Sequence, residues 1–389
     1  MNHGRYVFSQ LLDHLPRHDF DLCRDRYPGR YRHRTFSAFD QYLCMAFAQL
    51  TYRESLRDIA TCLNALKPKL YHVGFRGPVA RSTLADANEA RDWRIHADFA
   101  QVLIAEARKL HAGDSFGVEL GQAAYAFDST TIDLCLKLFP WAPFRRRKAA
   151  VKLHTLIDLR GNIPCFIHIT DGKTHDVNAL DHLPVEPGAF YMMDRGYLDF
   201  ARLRRFGHAA AFFVTRAKTN MDFARRASRP VDKQTGLRCD QDIRLRGVKS
   251  AKAYPESLRR IGYRDPETGR ELVFLTNNFV LPALTFAQLY KSRWQVELFF
   301  KWIKQNPRIK AFYGYSDNAV RTQVWIAVGI YALILIVRKN FKSKRSPSEI
   351  LQILSLSLFE KVPLQQALAS IPKKREKDAQ RKPLSLFDI

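Results

Sequence analysis

Two aspartates follow short apolar segments and are the first candidates for chemistry. Asp128 follows the segment AAYAF, and Asp194 follows AFYMM and precedes Gly196, which permits a tight exit. An ionised carboxylate directly after a buried strand is costly unless it is paired or binds a cation. One such aspartate is commonly a turn former, but two that end strands of one sheet indicate a site. We therefore expect Asp128 and Asp194 at neighbouring strand ends.

A third acid lies in a segment whose pattern predicts one helix over 290–304. At about 100° per residue, four polar or charged side chains fall in a stripe roughly 60° wide. They are Tyr290, Arg293, Glu297 and Lys304. Apolar residues cover most of the remaining circumference, so we expect this helix to be buried with the stripe facing something polar. A salt bridge between Arg293 and Glu297 is the structural alternative, but it does not explain why Tyr290 and Lys304 share the stripe.

Three carboxylates without a thiolate or a clustered histidine suit Mg²⁺ or Mn²⁺, because these ions prefer oxygen ligands. Carboxylates that bridge two such ions support in-line displacement at phosphorus. The charge of the chain agrees with a phosphodiester substrate. Lys and Arg number 63 against 38 Asp and Glu, which gives a formal net charge of +25. Such an excess indicates a polyanionic partner, with a solubilising basic surface as the alternative.

Secreted and membrane classes are disfavoured. The 6 cysteines are scattered without a CxxC pair, which fits a reducing compartment and neither a disulfide framework nor a zinc site. The N-terminus lacks the pattern of a signal peptide. The apolar run 324–337 is shorter than the roughly 20 residues that cross a bilayer, so we expect a buried helix, a cytoplasmic protein and no membrane partner.

The hydrophobic periodicity along the chain predicts an α/β protein with helical ends. Helical periodicity covers 1 to about 110 and returns from 282 to about 370, with short strands at 120–215 and a polar, basic, strand-containing stretch at 216–277. We predict a helical DNA-binding domain over 1–113, a catalytic domain over 114–345 with a β-rich insertion at about 216–277, and a C-terminal helical segment with a basic tail over 346–389.

Three basic or helical features could contact DNA. The run Arg145, Arg146, Arg147 and Lys148 could clamp a phosphate or be a solvated hairpin turn. The cluster 24–34 interleaves arginines with two tyrosines, which suits a DNA backbone, although a charged loop is nearly as plausible. Segments 55–60 and 81–88 could form a helix-turn-helix-like unit with Arg81, Thr83 and Asn88 near the groove; plain helical packing is the alternative.

Taken together, the motifs resemble those of a known enzyme family. AFDST at 126–130, MDRGY at 193–197 and the spacing Tyr-(2)-Arg-(3)-Glu-(6)-Lys at 290–304 resemble the DDE transposases of bacterial insertion sequences. The nearest group is insertion-sequence family four, whose signature is that helix spacing. FPWAPFRRRKAAVKLHTLIDL and ITDGKTHDVNAL match as well, so the resemblance covers roughly 120–340.

The resemblance implies a ribonuclease-H-like catalytic core with a mainly β insertion, preceded by the all-α N-terminal domain. It implies three metal-binding catalytic acids, namely Asp128, Asp194 and Glu297, with Mg²⁺ as the cofactor and Mn²⁺ as a possible substitute. It also implies contacts to transposon-end DNA from Tyr290, Arg293 and Lys304. Related cut-and-paste enzymes stack a tryptophan of the insertion on a flipped base, but this sequence has no Trp at 216–277.

The function that follows is cut-and-paste transposition. We expect a bacterial, nucleoid-associated enzyme that binds the terminal inverted repeats, cleaves double-stranded DNA there and joins the ends to target DNA as a homodimer in the synaptic complex. The alternatives are a domesticated sequence-specific DNA-binding protein without transfer activity, and a ribonuclease-H-like nuclease. The presence of all three acids favours the active transferase.

Overall fold

Helices occupy both ends of the chain and strands its middle, as the sequence pattern predicts. The structure is a computed structural model and describes residues 4–29, 35–145, 148–305 and 312–369. The helices before the first strand are α1 (Val7–Leu12), α2 (Arg17–Asp25), α3 (Ala38–Leu50), α4 (Leu56–Ala65), α5 (Lys67–Leu70), α6 (Arg81–Ala90) and α7 (Arg94–His111).

The strands follow in the middle of the chain, with two helices between them. The strands are β1 (Ala124–Leu134), β2 (Pro143–Arg145), β3 (Lys148–Asp158), β4 (Ile163–Asp171), β5 (Phe190–Met193), β6 (Phe212–Arg216), β7 (Phe223–Arg229), β8 (Leu237–Leu245), β9 (Leu258–Arg264) and β10 (Glu271–Thr276). The helices among them are α8 (Phe200–His208) and α9 (Val248–Ala253). The C-terminal helices are α10 (Ala283–Ser292), α11 (Trp294–Gln305), α12 (Asp317–Asn340), α13 (Pro347–Ser357) and α14 (Leu364–Leu368).

The strands form one mixed sheet in the order β2-β3-β1-β5-β6-β10-β9-β8-β7, with β4 also paired to β3. Strand β1 is antiparallel to β3 and parallel to β5, and β5 is parallel to β6. The register pairs Phe127 with Met193. Because this pair directly precedes Asp128 and Asp194, the sheet brings the two acids side by side.

The prediction that Asp128 ends a strand is wrong, although Asp194 does directly follow β5. Strand β1 continues past Asp128 to Leu134, because its second half stays paired with β3 through to the partners Leu134 and Ala149. Asp128 therefore projects from the middle of a strand, where the neighbouring strand β5 has already ended.

Each face of the sheet packs against its own layer of helices. Met192, Val214 and Phe274 belong to the core that includes α7, α10, α11 and α12. The residues next to them, Met193 and Phe213, belong to the second core, which includes α8. Side chains alternate between the faces of a strand, so Asp128 and Asp194, which follow residues of the second core, point toward α10 and α11.

Helix α12 is the central helix of the first core. Ser316 caps its N-terminus by accepting a hydrogen bond from the Ala319 N–H, and Arg338 and Lys339 lie in its last turn. The helix is long and apolar enough to cross a membrane by length and composition, but 94% of its most apolar window is buried inside the protein. The expectation of a buried helix over 324–337 is confirmed.

The first core runs continuously from the N-terminal helices to the C-terminal ones. Phe99 and Leu103 of α7, Val328 of α12 and Leu354 of α13 belong to the same cluster of buried side chains. The helices of the predicted N-terminal domain therefore share a core with the sheet.

Three sequence expectations need correction. Asn88 is 1% exposed and accepts a hydrogen bond from Gln41, so it cannot read a DNA groove from this position. The helix predicted over 290–304 is two helices that meet at Arg293, where the Arg293 N–H bonds Tyr290 O and the Val296 N–H bonds Arg293 O. These tighter hydrogen bonds interrupt the α-helical ladder. Within 216–277 the sequence predicts strands at QDIRLRGV (241–248) and ELVFLTNN (271–278), and it predicts none at the positions of β7 and β9 or, earlier in the chain, of β2.

Parts of two predicted basic clusters lie outside the described residues, together with the tail over 370–389. In the cluster 24–34, the described arginines are paired with acids: Arg24 with Asp21 at 2.6 Å and Arg26 with Asp98 at 3.0 Å. The cluster members at 30–34 fall outside the described ranges.

Candidate active site

Asp128 and Asp194 open toward the same crevice between the sheet and helices α10 and α11. Both carboxylates accept a backbone hydrogen bond at Oδ1, Asp128 from the Ser129 N–H at 2.8 Å and Asp194 from the Arg195 N–H at 2.7 Å. These contacts hold each carboxylate at its strand and leave the remaining lone pairs for other partners.

Arg293 connects Asp128 to Glu297. Its Nη1 lies 2.5 Å from Asp128 Oδ2, and its Nη2 lies 2.8 Å from Glu297 Oε1. The helix salt bridge that the sequence offered as the structural alternative is therefore present, but it extends across the crevice to the sheet. The Arg293 side chain is only 15% exposed and Asp128 is 22% exposed, whereas Glu297 is 39% exposed. The acidic crevice is thus open on the side of Glu297.

Asp194 has two further partners of its own. Arg216, at the end of β6, donates from Nη2 at 2.6 Å and from Nε at 3.1 Å to Asp194 Oδ1. The Tyr290 hydroxyl donates to the same oxygen at 3.3 Å. Sequence reasoning missed Arg216, since only the order of the strands places the end of β6 beside the end of β5.

Burial and arginine contacts move the two aspartate pKa values in opposite directions. Burial raises the pKa of Asp128, and the positive charge of Arg293 only partly opposes this. Burial also acts to raise the pKa of Asp194, but the hydrogen bonds from Arg216 and from the Arg195 N–H outweigh it, so this pKa is lowered. Burial raises the pKa of Tyr290 to about 12, which keeps its hydroxyl protonated as a donor.

The donor set suits a divalent cation chemically. Asp128, Asp194 and Glu297 supply oxygen ligands, with no thiolate among them, and the charges of Asp194 and Glu297 both act on Asp128. Guanidinium groups hold all three in this structure, and within the described ranges no group of three or more acids, histidines or cysteines is arranged to hold a metal. Arg293 and Arg216 neutralise part of the negative charge of the three carboxylates.

The remaining predicted contacts lie on α11 and on the β2–β3 hairpin. Lys304 is in the last turn of α11, beyond Glu297. Arg145 and Lys148 lie on the β2–β3 hairpin, where both are exposed and the Arg145 guanidinium is 5.1 Å from the Phe144 ring. Arg146 and Arg147 lie outside the described residues.

Another acid of the sheet region lies outside the crevice. Asp176 begins a short 3₁₀ turn and pairs with Lys152 at 3.1 Å, while His175 accepts from the Val177 N–H at 3.4 Å. Lys152 is two residues from His154 along β3, on the sheet face opposite Asp128. These residues act as turn and sheet partners.

Family comparison gives two matches. The model described as "Transposase DDE domain" matches residues 119–333. A second model, described as a domain of unknown function (DUF4372), matches residues 3–76. The first match contains β1 through most of α12, and with them the whole crevice.

Curated relatives from three bacteria are similar over much of the chain. A Sinorhizobium fredii protein named as transposase y4zB is 34% identical over 66% of this chain and 71% of its own length. A Geobacillus stearothermophilus protein named as the transposase of insertion sequence element IS5377 is 32% identical over 53% of this chain and 54% of its own. A Synechocystis protein named as the transposase of element IS4SA is 24% identical over 65% of this chain and 70% of its own.

Proposed function

The chain belongs to the DDE transposase family, and we propose that Asp128, Asp194 and Glu297 are its catalytic acids. It is an insertion-sequence transposase, an enzyme of DNA recombination. The observation that carries the proposal for these residues is their meeting in one crevice: Asp128 and Asp194 project side by side from β1 and β5, and Arg293 joins Asp128 to Glu297. The helix spacing that includes Arg293 and Glu297 makes insertion-sequence family four the proposed group.

The fold proposal is a ribonuclease-H-like core. It is supported by the central strands, in which β4, β3 and β1 are antiparallel and β1, β5 and β6 are parallel. Strands β7–β10, inserted between Asp194 and Glu297 in the chain, extend the same sheet from β6. They correspond to the proposed β insertion.

The proposed cofactor is Mg²⁺, with Mn²⁺ as a possible substitute. Bound by the three carboxylates, such ions would activate the attacking oxygen and stabilise the leaving oxygen at phosphorus. The burial that raises the pKa of Asp128 also strengthens its interaction with any cation, since charges attract more strongly in a low-dielectric site.

The proposed role of Arg293 is to change its hydrogen-bond partner from the carboxylates to a DNA phosphate. Its two amino groups now bind Asp128 and Glu297, and the fork of a guanidinium fits a phosphate equally well. When end DNA enters the crevice, Arg293 would turn to the phosphate beside the cleaved bond and release the acids. Tyr290 supplies a protonated hydroxyl and Lys304 a positive charge along the same path.

The proposed reaction has two displacements at phosphorus. Water attacks the phosphodiester at the transposon end and the 3′-oxygen leaves as a hydroxyl. That hydroxyl then attacks a phosphodiester of the target, whose own 3′-oxygen leaves, so one bond forms and one breaks in each step. End recognition belongs to the helical domain over 1–113, the synaptic complex contains a homodimer, and the enzyme works in the cytoplasm at the nucleoid.

Isosteric substitution of the acids tests this proposal. Asp128→Asn, Asp194→Asn and Glu297→Gln each remove a ligand charge while keeping the shape of the side chain. We expect each change to reduce Mg²⁺-dependent cleavage of a duplex carrying the terminal repeat by at least about a hundredfold, while binding of that duplex in a gel-shift assay stays within severalfold.

Asp176→Asn is the matched control, because Asp176 lies on the opposite face of the sheet and outside the crevice. It should cleave at the wild-type rate. Wild-type cleavage by any one of the three crevice variants would remove that residue from the proposed site.

A further inference from the structure

A second cavity system lies beside the acidic crevice, on the other flank of α11. The larger cavity has a volume of ≈ 640 Å³ and lies between the end of α7, the β3–β4 turn, α11 and the end of α12. A smaller cavity of ≈ 250 Å³ continues along α11 to the start of α13. Gly161, Asn162, Gln295 and Arg338 line both cavities. We call the two together the α11–α12 groove.

Positive charge dominates the lining of this groove. Arg338 and Lys342 line the larger cavity and Lys301 the smaller one. No hydrogen bond or ion pair connects these three side chains to an acid in the part of the chain that the structure describes. Lys339, which also lines the groove, differs because it is paired with Asp114. The groove therefore has cationic groups available for a ligand.

Neutral hydrogen-bonding groups lie between these cations. The side chains of Asn162, Gln295, Ser343 and Ser346 line the two cavities. Lysine and arginine charges interspersed with amide and hydroxyl groups are the contacts that proteins make with phosphate oxygens of a nucleic-acid backbone. Of the aromatic side chains in the lining, Trp302 and Tyr331 are buried and Phe116 is partly buried.

At the β3–β4 turn, the wall of the groove packs closely against the end of α7. Gly161 has a φ of +81°, and a Cβ atom there would lie 2.6 Å from Cγ of His111. The glycine lets the turn pack directly on the end of α7, and His111 is itself held by Asp114 through Nδ1 at 2.6 Å. The groove is thus formed jointly by the N-terminal helices, the sheet and the C-terminal helices.

The position of the groove on α11 separates it from the acids. Because a helix turns about 100° per residue, the lining residues Gln295 and Leu298 lie about 160° and 100° around α11 from Glu297, and Lys301 lies at the border between the groove and the crevice. A duplex in the groove would therefore run beside the crevice without covering it. Helix α11 could hold one DNA segment at the acids and a second segment along the groove.

We propose that the α11–α12 groove binds the phosphate backbone of the target duplex. The inference rests on the proposed function, because strand transfer requires two DNA segments to be held together at one set of acids. The end segment must place its terminal phosphate in the crevice, where Arg293 and Tyr290 lie. The neighbouring groove then offers cationic and hydrogen-bonding contacts to the phosphates of the target.

The test separates cleavage from strand transfer. The variant Arg338→Gln with Lys342→Gln removes two groove charges and keeps much of each side-chain stem. With pre-cleaved end DNA and a supercoiled plasmid as target, we expect strand transfer to fall at least about tenfold. Cleavage of an intact terminal-repeat duplex should stay within about twofold of wild type. The salt dependence of binding to a random duplex should also become shallower, since each lost phosphate contact lowers the log–log slope by about 1.

The matched control is Lys249→Gln with Lys252→Gln, which removes two exposed charges from α9 on the opposite face of the sheet. It should leave transfer unchanged. Wild-type transfer by the groove variant, or an equal fall in cleavage and transfer, would overturn the assignment to target DNA.

Failure of the groove assignment can be distinguished from failure of the proposed function. If wild-type protein neither cleaves nor transfers DNA, the proposed function fails, and the random-duplex measurement alone decides whether the groove binds a DNA backbone. An unchanged salt slope in the groove variant would then contradict the inference as well.

Discussion

At the scale of single residues, guanidinium groups hold the carboxylates of the crevice. Arg216 donates twice to Asp194, and Arg293 bridges Asp128 and Glu297. A cation that takes Asp194 Oδ1 or Asp128 Oδ2 as a ligand displaces an arginine from that oxygen. DNA would assist this displacement, since phosphate offers the arginines another partner.

Removing Arg216 should therefore strengthen cation binding in the DNA-free protein. We expect Mn²⁺ at a fixed concentration to raise the melting temperature of Arg216→Gln by more than it raises that of wild type, because ligand binding to the folded state stabilises it. Thermal melting with and without Mn²⁺ measures the difference. The double variant Arg216→Gln with Asp194→Asn should lose the gain, and equal Mn²⁺ shifts in all three proteins would contradict competition between arginine and metal.

The three acids could be singled out in the sequence because each belongs to a pattern that is local in the chain. Asp128 and Asp194 follow apolar segments, and Glu297 shares a helical stripe with Arg293. Arg216 gave no such signal: it ends a strand, and its contact with Asp194 depends on the order of strands in the sheet. The catalytic roles of these residues stay a prediction until the acids are substituted.

At the scale of elements, a buried ion pair fastens the β insertion to the chain that leads into α10. Arg259 of β9 and Asp240 of β8 are 3% and 5% exposed and lie 2.7 Å apart. Arg259 also donates to the Leu281 carbonyl at 2.7 Å, just before α10. This contact connects the insertion to the helix that carries Tyr290.

Breaking the buried ion pair between Arg259 and Asp240 should lower the stability of the folded protein. Arg259→Met leaves Asp240 as a buried carboxylate whose remaining ion-pair partner among the described residues is Arg229, and we expect the free energy of unfolding to fall by roughly 3 kcal/mol. Urea denaturation measures this change. Adding Asp240→Asn should cost less than the sum of the single changes. The exposed pair of Arg204 and Glu256 is the control, and Arg204→Met should cost less than about 1 kcal/mol.

A buried histidine of α7 should make stability depend on pH. Burial, with a smaller contribution from Arg91, lowers the pKa of His96 to about 3. The folded state then binds fewer protons than the unfolded state, whose histidine titrates near pH 6.5. Stability is therefore lost as the pH falls from about 6.5 toward 3.

Replacing this histidine should remove that loss. When the pH falls from 7 to 5, the free energy of unfolding of wild type should decrease by about 2 kcal/mol more than that of His96→Phe. The ring would keep its contacts with Phe20 and Tyr42. His18→Gln, an exposed change on α2, should follow the wild-type pH profile, and a parallel profile for His96→Phe would show that His96 is not the group responsible.

The differences between expected and observed elements also have local causes. Strand β7 reads FARRASR and is mostly exposed at the sheet edge, so it shows no apolar alternation. Asp128 lies inside β1 because the polar residues after it still pair with β3. The expectation that a carboxylate marks the end of a strand takes no account of such pairing. The break at Arg293 arises from two hydrogen bonds that leave the side-chain periodicity almost unchanged.

At the scale of the whole molecule, the two helical ends of the chain meet in one core. Phe99 and Leu103 of α7 and Val328 of α12 are fully buried in the same cluster, and a Cβ added at Gly329 of α12 would lie 3.6 Å from the Leu103 side chain. The sequence predicted both helical regions. It could not predict their contact, because residues more than two hundred positions apart share no local pattern.

Removing residues 1–113 should therefore unfold the rest. A fragment of 114–389 would expose the apolar side of α12 that α7 covers, and we expect it to melt without a cooperative transition. Co-expression of 1–113 with 114–389 should restore a cooperative transition in circular dichroism. A fragment that melts cooperatively on its own would show that the sheet and the C-terminal helices form an independent unit.

The position of Mn²⁺ in a crystal of the protein with its terminal-repeat DNA, found by anomalous scattering, tests whether Asp128, Asp194 and Glu297 are the catalytic acids. We expect the ion within roughly 2.0–2.5 Å of carboxylate oxygens of Asp128, Asp194 and Glu297. Arg293 should have turned to a DNA phosphate. If Arg293 still bridges Asp128 and Glu297 and no anomalous peak lies among the three acids, the account of this crevice as the catalytic site is contradicted.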